Sequence, residues 1–257
     1  MDLQLDGRVI IVTGASQGLG RDIATYLRSE GARVVLTARS TEKLEELAAT
    51  DPENYLAVTA DLRDGDKVKA VVAAALDRFG RIDGLVNNAG HSERGSFVDL
   101  PDSAWEDAFA LKYMATVRCS RACWPELVKS KGTIVNVLGV AGRLAFPAAI
   151  IGGSFNAALF SITKSLAQIG IKEGVRVNGV SPGLIAADST LQTIRDRADA
   201  DGITEEAGIK RATERLGIAR LGTPEEHSKV VAFLLSPASG YCQGSIIEVD
   251  GGQNRAL

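Results

Sequence analysis

Short runs rich in β-branched residues alternate with longer helical patterns along the whole of this 257-residue chain. Seven of these runs are strand candidates, and each is apolar on both faces: 8–13, 33–37, 56–60, 82–87, 133–138, 176–180 and 245–249. Strands of this kind are typical of a parallel sheet that helices cover on both sides. The alternation therefore predicts an α/β fold, a doubly wound parallel sheet of about seven strands joined by right-handed helical crossovers.

The predicted helices lie between these strands, and no linker rich in Pro, Gly or Ser interrupts the alternation. They cover 19–29, 41–49, 66–79, 103–130 and 155–173. Because nothing divides the pattern, we expect the whole chain, 1–257, to form a single domain.

The segment 186–222 departs from this rhythm because it is long, polar and helix-prone. It carries seven acidic and six basic side chains, and because the two signs balance we do not expect it to be an anion-binding arm. It follows the end of a strand, where ligands bind in open α/β sheets. A helical substrate lid over that crevice is the favoured interpretation, and a plain surface insertion is the alternative.

Charge and composition exclude several classes of function. The chain has 29 basic and 32 acidic side chains, a net charge of −3, which excludes nucleic-acid binding by bulk electrostatics. No apolar run approaches the roughly 18 residues that a membrane span needs, and no secretory leader is expected at residues 1–8. Three cysteines without a CxxC spacing favour a reduced, cytoplasmic protein. We expect no metal site.

A glycine-rich turn directly follows the first strand candidate and opens the first helix. Gly14 permits a tight turn, Gly18 lets main-chain N–H groups approach a diphosphate, and Gly20 allows close helix packing. The helix N-terminus adds partial positive charge for the phosphates. The order of strand, turn and helix predicts a dinucleotide site that comprises Gly14, Ser16, Gln17, Gly18, Leu19 and Gly20.

The GxxxGxG spacing of this turn resembles that of the short-chain dehydrogenase/reductase family, and the resemblance extends over essentially the whole chain. Residues 87–90 are similar to the family's NNAG motif, 61–62 to its adenine-binding pair, and 181–183 to its turn beside the nicotinamide. Residues 221–226 and 249–252 are similar to its C-terminal signatures. The resemblance implies a Rossmann-type NAD(P)-binding domain with further cofactor contacts from Asp61, Leu62, Asn88, Ala89, Gly90, Pro182, Gly183, Leu184 and Ile185.

The end of the second strand candidate predicts which nucleotide binds. NAD binders usually place an acid there for the ribose 2′-hydroxyl, whereas an arginine accommodates a 2′-phosphate. This chain has no carboxylate at that point and continues with Arg39 and Ser40. Because a guanidinium can bind a phosphate through two hydrogen bonds, we predict NADP(H) over NAD(H). A solvent-exposed Arg39 without a ligand is the alternative.

The residues that carry proton transfer in the family are missing from this chain. The resemblance implies a serine after the fifth strand, then a tyrosine, a lysine four residues beyond it, and an asparagine in an earlier helix. Those positions hold Gly139, Gly152, Asn156 and Lys112 respectively. The four tyrosines are at 26, 55, 113 and 241, so no tyrosine–lysine pair can lie between 114 and 240.

Lysine and asparagine have exchanged places between these positions. Both side chains approach one water pocket in the family fold, so we predict that Lys112 returns positive charge to the vacated space; a surface or interhelical lysine is the alternative. Asn156 can hydrogen-bond a ribose hydroxyl but carries no charge. Gly139 and Gly152 leave room for water or a bulkier substrate. His91 is a further candidate acid because histidine is the side chain most often used for general acid–base catalysis, with an exposed loop histidine as the alternative.

Three functions are compatible with these observations. The first is an NADP(H)-dependent oxidoreductase that acts on a small carbonyl or alcohol substrate in a rebuilt site. The second is an inactive NADP(H)-binding protein that serves as a sensor or partner subunit. The third is proton or elimination chemistry without net redox, with Lys112 as the base. The resemblance also implies a homotetramer, and the large apolar faces of 103–130 and 155–173 support self-association.

Overall fold

The computed structural model describes residues 2–255, in which seven strands form one parallel sheet. The strands are β1 Val9–Thr13, β2 Arg33–Ala38, β3 Tyr55–Thr59, β4 Gly84–Asn87, β5 Thr133–Val137, β6 Arg176–Pro182 and β7 Ile246–Val249. Their order across the sheet is β3-β2-β1-β4-β5-β6-β7, and every neighbouring pair is parallel. The predicted doubly wound α/β fold is confirmed, with all seven predicted strands.

Helices connect the strands and cover both faces of the sheet. Those within residues 2–255 are α1 Gly18–Ser29, α2 Thr41–Ala48, α3 Gly65–Phe79, α4 Asp102–Ala108, α5 Ala115–Ser130, α6 Ile150–Glu173, α7 Asp188–Ala200, α8 Glu205–Leu216 and α9 Pro224–Leu235. Local chemistry fixes several of their ends. The Asp64 side chain caps α3, and Thr223 and Glu226 form a reciprocal capping box that starts α9.

Side chains that alternate along each strand build one hydrophobic core on each face of the sheet. Val12 belongs to the first core, where Ile23 of α1 is fully buried. Its neighbour Ile11 belongs to the second, with Val71 of α3. Successive side chains of a strand point to opposite faces, so burial on both sides explains why apolar residues dominate both faces of these strands.

The helix expected over 103–130 is not continuous, because the π-helical segment Phe109–Met114 separates α4 from α5. Lys112 lies in this segment and is buried, with 5% of its surface exposed. The Thr116 hydroxyl donates a 2.8 Å hydrogen bond to the Lys112 main-chain oxygen. A single wide turn hardly disturbs the apolar periodicity of a long helix, so the pattern gave no signal for it.

Helix α6 begins at Ile150 and not near residue 155 as expected. Gly152 and Gly153 fall in its first turn, and glycine is the weakest helix former after proline. The buried Ile151 side chain packs into a third hydrophobic cluster with Phe155 and Leu159, and this packing outweighs the glycine propensity.

The strand order reverses between β1 and β4, which lie side by side at the centre of the sheet. Ligands bind outside the carboxyl ends of the strands at such a point. Helices α7 and α8 occupy most of the segment 186–222 that follows β6. Among the helices described, none is long and apolar enough to cross a membrane.

Candidate functional site

The turn between β1 and α1 packs so closely that two of its positions accept only glycine. Gly14 has a φ of 69°, and a Cβ there would lie 2.9 Å from Ala89 Cα. A Cβ at Gly20 would lie 2.1 Å from the main-chain oxygen of Gly14. Backbone atoms cannot move away from such contacts without disrupting the turn, so its shape depends on the absence of side chains.

The N-terminus of α1 is open toward the crevice. Gln17 is its N-cap residue, and the Gln17 side chain makes no capping hydrogen bond. Gly18 follows, and a Cβ at that position would meet nothing within 4 Å. The first N–H groups of α1 thus have no side-chain cap and face open space, as a diphosphate cradle requires.

Thr13 joins the end of β1 to the segment after β4. Its hydroxyl donates to the Val86 main-chain oxygen at 3.1 Å and accepts from the N–H groups of Asn88 at 2.9 Å and Ala89 at 3.0 Å. The Asn88 amide in turn donates to the Thr13 main-chain oxygen at 3.0 Å. These four bonds fix the 88–90 segment against the glycine-rich turn.

A cleft of about 1130 Å³ opens over this turn. Twelve of the predicted cofactor-binding residues line it: Gly14, Ser16, Gln17, Gly18, Leu19, Gly20, Arg39, Ser40, Leu62, Asn88, Ala89 and Gly90. Asn156, Pro182 and Leu184 line an adjoining cavity instead, whereas Asp61, Gly183 and Ile185 line neither space. The volume exceeds that of a drug-sized pocket, as an extended dinucleotide requires.

The two charged residues predicted at the adenosine end differ in their partners. Arg39 is exposed at the cleft and makes no side-chain hydrogen bond or ion pair within residues 2–255. Asp61 accepts hydrogen bonds from Arg63, with Nε–Oδ1 at 3.0 Å and Nη2–Oδ2 at 2.6 Å, and this guanidinium lowers the pKa of Asp61. The Arg63 main-chain N–H also donates to Asp61 Oδ1 at 3.0 Å. A carboxylate has about four lone-pair positions, so three donors leave Asp61 room for one more.

A second cavity of about 700 Å³ adjoins the cleft. The two spaces share Leu19, Asn88, Gly90, His91 and Ser189. Lys112 and Asn156 line the second cavity at the sheet, and residues of α7 and α8 line it from the segment 186–222. The exposed His91 lies where cleft and cavity meet. A cofactor in the cleft would therefore have a substrate-sized space beside it.

Lys112 is a buried cation at the wall of this cavity. Its Nζ donates a 2.8 Å hydrogen bond to the main-chain oxygen of Asn88, and burial lowers the pKa of Lys112 to about 7. A Cβ on Gly90 would lie 2.2 Å from Lys112 Cδ, so the absence of a side chain at Gly90 makes room for the lysine. Lys112 is therefore not a surface lysine.

The positions at which the family resemblance implies serine, tyrosine and lysine lie together around the Asn156 side chain. Asn156 is buried, and its Nδ2 donates to the Gly152 main-chain oxygen at 2.8 Å. Its Oδ1 has no hydrogen-bond partner among the described residues. A Cβ on Gly139 would lie 3.2 Å from Asn156 Nδ2, and one on Gly152 would lie 3.2 Å from Ser92 Oγ. Substituents at these two glycines would thus point toward Asn156 and Ser92.

Helix α7 was predicted only as part of a lid over the crevice, and the residues by which it lines the cleft were not predicted. Asp188, Gln192 and Arg195 line the cleft from one stripe of this helix. The pKa of Asp22 in α1 is raised, first by burial and then by the charge of Asp188. The spacing of four and then three residues is the only sequence signal, and it marks a helix face without showing what that face covers.

Comparisons with known proteins agree with this architecture. Residues 14–254 match the family model described as Enoyl-(Acyl carrier protein) reductase. Meso-2,3-butanediol dehydrogenase of Serratia marcescens is 32% identical over 262 residues, which cover 97% of this chain and 96% of that protein. 3-Oxoacyl-(acyl-carrier-protein) reductase FabG of Staphylococcus aureus is 32% identical over 248 residues, which cover 94% of this chain and 96% of that protein.

A solved structure extends the comparison to three dimensions. The crystal structure of L-sorbose reductase from Gluconobacter frateurii, complexed with NADPH and L-sorbose, is 32% identical in sequence. Its TM-score to this chain is 0.94, with 100% of both chains covered.

Proposed function

The chain belongs to the short-chain dehydrogenase/reductase family of oxidoreductases, which act on carbonyl and alcohol substrates, and we propose that it is an NADP(H)-dependent member whose proton donor is Lys112. The observation that carries the proposal is the position of Lys112: a buried lysine lines a cavity that adjoins the glycine-rich cleft.

The residues of the cleft fit a dinucleotide. Uncapped N–H groups of α1 would hold the diphosphate, and the glycines leave its path free of side chains. The Arg39 side chain lies at the cleft without a hydrogen bond or ion pair in the described residues, so it can bind a ribose 2′-phosphate through two hydrogen bonds. The bound NADPH of L-sorbose reductase agrees with this nucleotide. When bound, a nicotinamide supplies or accepts the hydride.

Lys112 has the properties of a general acid. A carbonyl oxygen that gains negative charge needs a proton, and a group with a pKa near the operating pH transfers protons most efficiently. Burial lowers the pKa of Lys112 to about 7, so its Nζ can donate a proton during reduction and accept one during alcohol oxidation. The tyrosine of the family is then not required for this step.

Asn156 would position a hydroxyl group at the same place. Its Oδ1 is buried and has no partner in the described residues, while its Nδ2 is engaged by Gly152. A buried acceptor without a donor is costly, so a ligand hydroxyl would relieve that cost by donating to Oδ1. A ribose or substrate hydroxyl is the fitting donor.

A second candidate function is nucleotide binding without catalysis. It is favoured by Gly139 and Gly152, which place no proton-carrying side chain beside Asn156. Elimination chemistry without redox, with neutral Lys112 as the base, is the third. NADPH fluorescence on titration, followed by NADPH oxidation over a panel of carbonyl compounds, separates the three.

The panel is assayed with wild type, Lys112→Met and Lys129→Met. Lys129 is an exposed lysine of α5 that pairs with Glu126, so its substitution controls for loss of one charge. We expect wild type and Lys129→Met to oxidise NADPH and Lys112→Met to lose about 10²–10⁴ in rate. Tight NADPH binding without oxidation by any panel member would favour the inactive protein. Product formation without NADPH oxidation would favour non-redox chemistry.

The segment 186–222 would act as the substrate lid of this enzyme, since α7 and α8 line the cavity beside Lys112. We also propose a cytoplasmic homotetramer. Ile169 and Ile171 of α6 are 51% and 60% exposed, which leaves apolar surface for another copy to cover. Light scattering on the purified protein measures the subunit number.

A further inference from the structure

The basic side chains of the segment 186–222 fall into two groups. Four of the six form ion pairs with acids: Arg195 with Glu205, Lys210 with Glu214, Arg211 with Asp201 and Arg220 with Glu226. The side chains of Arg197 and Arg215 form no hydrogen bond or ion pair within residues 2–255. Acidic and basic side chains are thus nearly equal in number in this segment, but two of its arginines have no acidic partner.

The two unpaired arginines are also the two that line the cavity beside Lys112 and Asn156. Arg197 comes from α7 and Arg215 from α8, so two separate helices each bring a guanidinium to the same space. None of the four paired bases lines this cavity. Among the basic residues of the segment, those that lack an acidic partner are therefore the same two that line the cavity.

The cavity is strongly positive although the chain is not. Its charged lining consists of Arg94, Lys112, Arg197, Arg215 and a single acid, Glu93. The whole chain has a net charge of −3. A cleft lined by one sign of charge with apolar walls concentrates its potential and attracts ligands of the opposite sign. The apolar part of the wall includes Leu138, Phe155 and Leu184.

The reacting end and the charged end of the cavity lie on different elements. Lys112 and Asn156 belong to the π-helical segment and to α6, whereas Arg197 and Arg215 belong to α7 and α8. A substrate whose carbonyl meets Lys112 could place a distant anionic group on the arginines. Planar guanidinium groups match carboxylate and phosphate oxygens, which they bind through two hydrogen bonds.

We propose that Arg197 and Arg215 form an anion-binding pair, and that the substrates are carbonyl or alcohol compounds that carry a carboxylate or phosphate group. The inference that the substrate carries a reacting carbonyl or alcohol group rests on the proposed function. The anion site itself rests on the two unpaired arginines and is tested by binding alone.

The experiment measures the affinity of two matched probe pairs for the protein saturated with NADP⁺ and for the protein without nucleotide. Levulinate is compared with methyl levulinate, and dihydroxyacetone phosphate with dihydroxyacetone. The two members of each pair share a ketone, and only one of them carries the anionic group. The pair whose anionic member binds more tightly shows whether the site prefers a carboxylate or a phosphate.

We expect one anion to bind at least about tenfold more tightly than its neutral partner, the effect of one charge-assisted hydrogen bond. Arg197→Gln and Arg215→Gln should each remove most of this preference. Arg211→Gln, on α8 but outside the cavity and paired with Asp201, should leave it unchanged. Equal affinity of both anions and their neutral partners, or a preference that survives both substitutions, would overturn the proposal.

Failure of the proposed function gives a different result from failure of the anion site. If the anion preference is present and no carbonyl probe supports NADPH oxidation, the anion site stands and the oxidoreductase proposal fails. If neutral ketones are reduced and the anions bind no better, the oxidoreductase proposal stands and the anion site fails.

Discussion

The Lys112 ammonium group donates a 2.8 Å hydrogen bond to the main-chain oxygen of Asn88, and this bond joins the π-helical segment to the end of β4. The lysine is 5% exposed, and no carboxylate of the described residues forms an ion pair with it. A buried charge without a counter-ion costs free energy, so the presence of Lys112 lowers the stability of the folded protein. Such a cost is typical of residues that serve a site rather than the fold.

This cost makes the stability of the protein depend on pH. The pKa of Lys112 falls from 10.5 to about 7 on folding, because burial disfavours the charged form. Between these values the unfolded chain binds the proton and the folded chain does not, so stability rises with pH, at most by about 1.4 kcal/mol per unit. Denaturant unfolding from pH 7 to 10 should show a smaller rise for Lys112→Met, and the wild-type rise for Lys129→Met. If the unfolding free energies of wild type and Lys112→Met rose equally with pH, the lowered pKa of Lys112 would be contradicted.

Arg39 should determine the choice of nucleotide. The Arg39→Ala substitution removes a guanidinium that makes no hydrogen bond or ion pair in the described residues, so it breaks no direct contact inside the protein. We expect the affinity for NADPH to fall about 10- to 100-fold, as for a charge-assisted bidentate contact, while the affinity for NADH changes little. NADH serves as the internal control in the same calorimetric titration. An equal loss for both nucleotides would place Arg39 away from the 2′-phosphate.

Gly20 tests the shape of the phosphate cradle. A Cβ at this position would lie 2.1 Å from the Gly14 main-chain oxygen, whereas a Cβ at Gly65, in the first turn of α3, would meet nothing within 4 Å. We expect Gly20→Ala to lower the melting temperature and to weaken NADPH binding at least about tenfold. Gly65→Ala should leave binding unchanged and stability equal or slightly higher, since alanine is the better helix former. Unimpaired binding by Gly20→Ala would mean that the turn does not contact the nucleotide.

His227 is a fully buried residue of α9 whose two ring nitrogens have no hydrogen-bond partner among the described residues. Burial first, and then the charge of Lys112, lower its pKa from 6.5 to about 4. Because the unfolded chain binds the proton between these values, stability is lost as pH falls from about 6.5 toward 4.

His227→Ile should therefore flatten this loss and stabilise the protein at pH 7 by about 1–2 kcal/mol, since it removes unpaired polar atoms from a core. His91→Gln, at an exposed position, is the matched control and should leave the acid limb of the stability curve as in wild type. The curve is obtained by urea unfolding from pH 4.5 to 7. If His227→Ile lost as much stability as wild type when the pH falls, other groups would be responsible for that loss.

The parts of this structure that the sequence predicted are those set by local pattern. The strands are mostly apolar because the sheet is covered on both faces, which is why β1 through β7 were all found. The glycine-rich turn was predictable because the 2.1 Å approach at Gly20 leaves no alternative to glycine.

The parts that the sequence did not predict depend on which residues meet in space. The π-helical segment Phe109–Met114 leaves the apolar pattern nearly intact, and its turn carries the buried Lys112. Arg197 and Arg215 look like ordinary members of a balanced segment until the partners of the other four bases are known. His227 carries no sequence signal of its environment, and only the packing of α9 shows that it is fully buried.

The most direct test of the central claim is the pH dependence of kcat/KM for NADPH-dependent carbonyl reduction in wild type and Lys112→Met. We expect the wild-type rate to fall as pH rises through an ionisation near 7, because reduction requires the protonated amine whose pKa is about 7. Lys112→Met should be slower, and its profile should lack that ionisation. A profile with the same ionisation and the same rate in Lys112→Met would contradict the assignment of Lys112 as the proton donor.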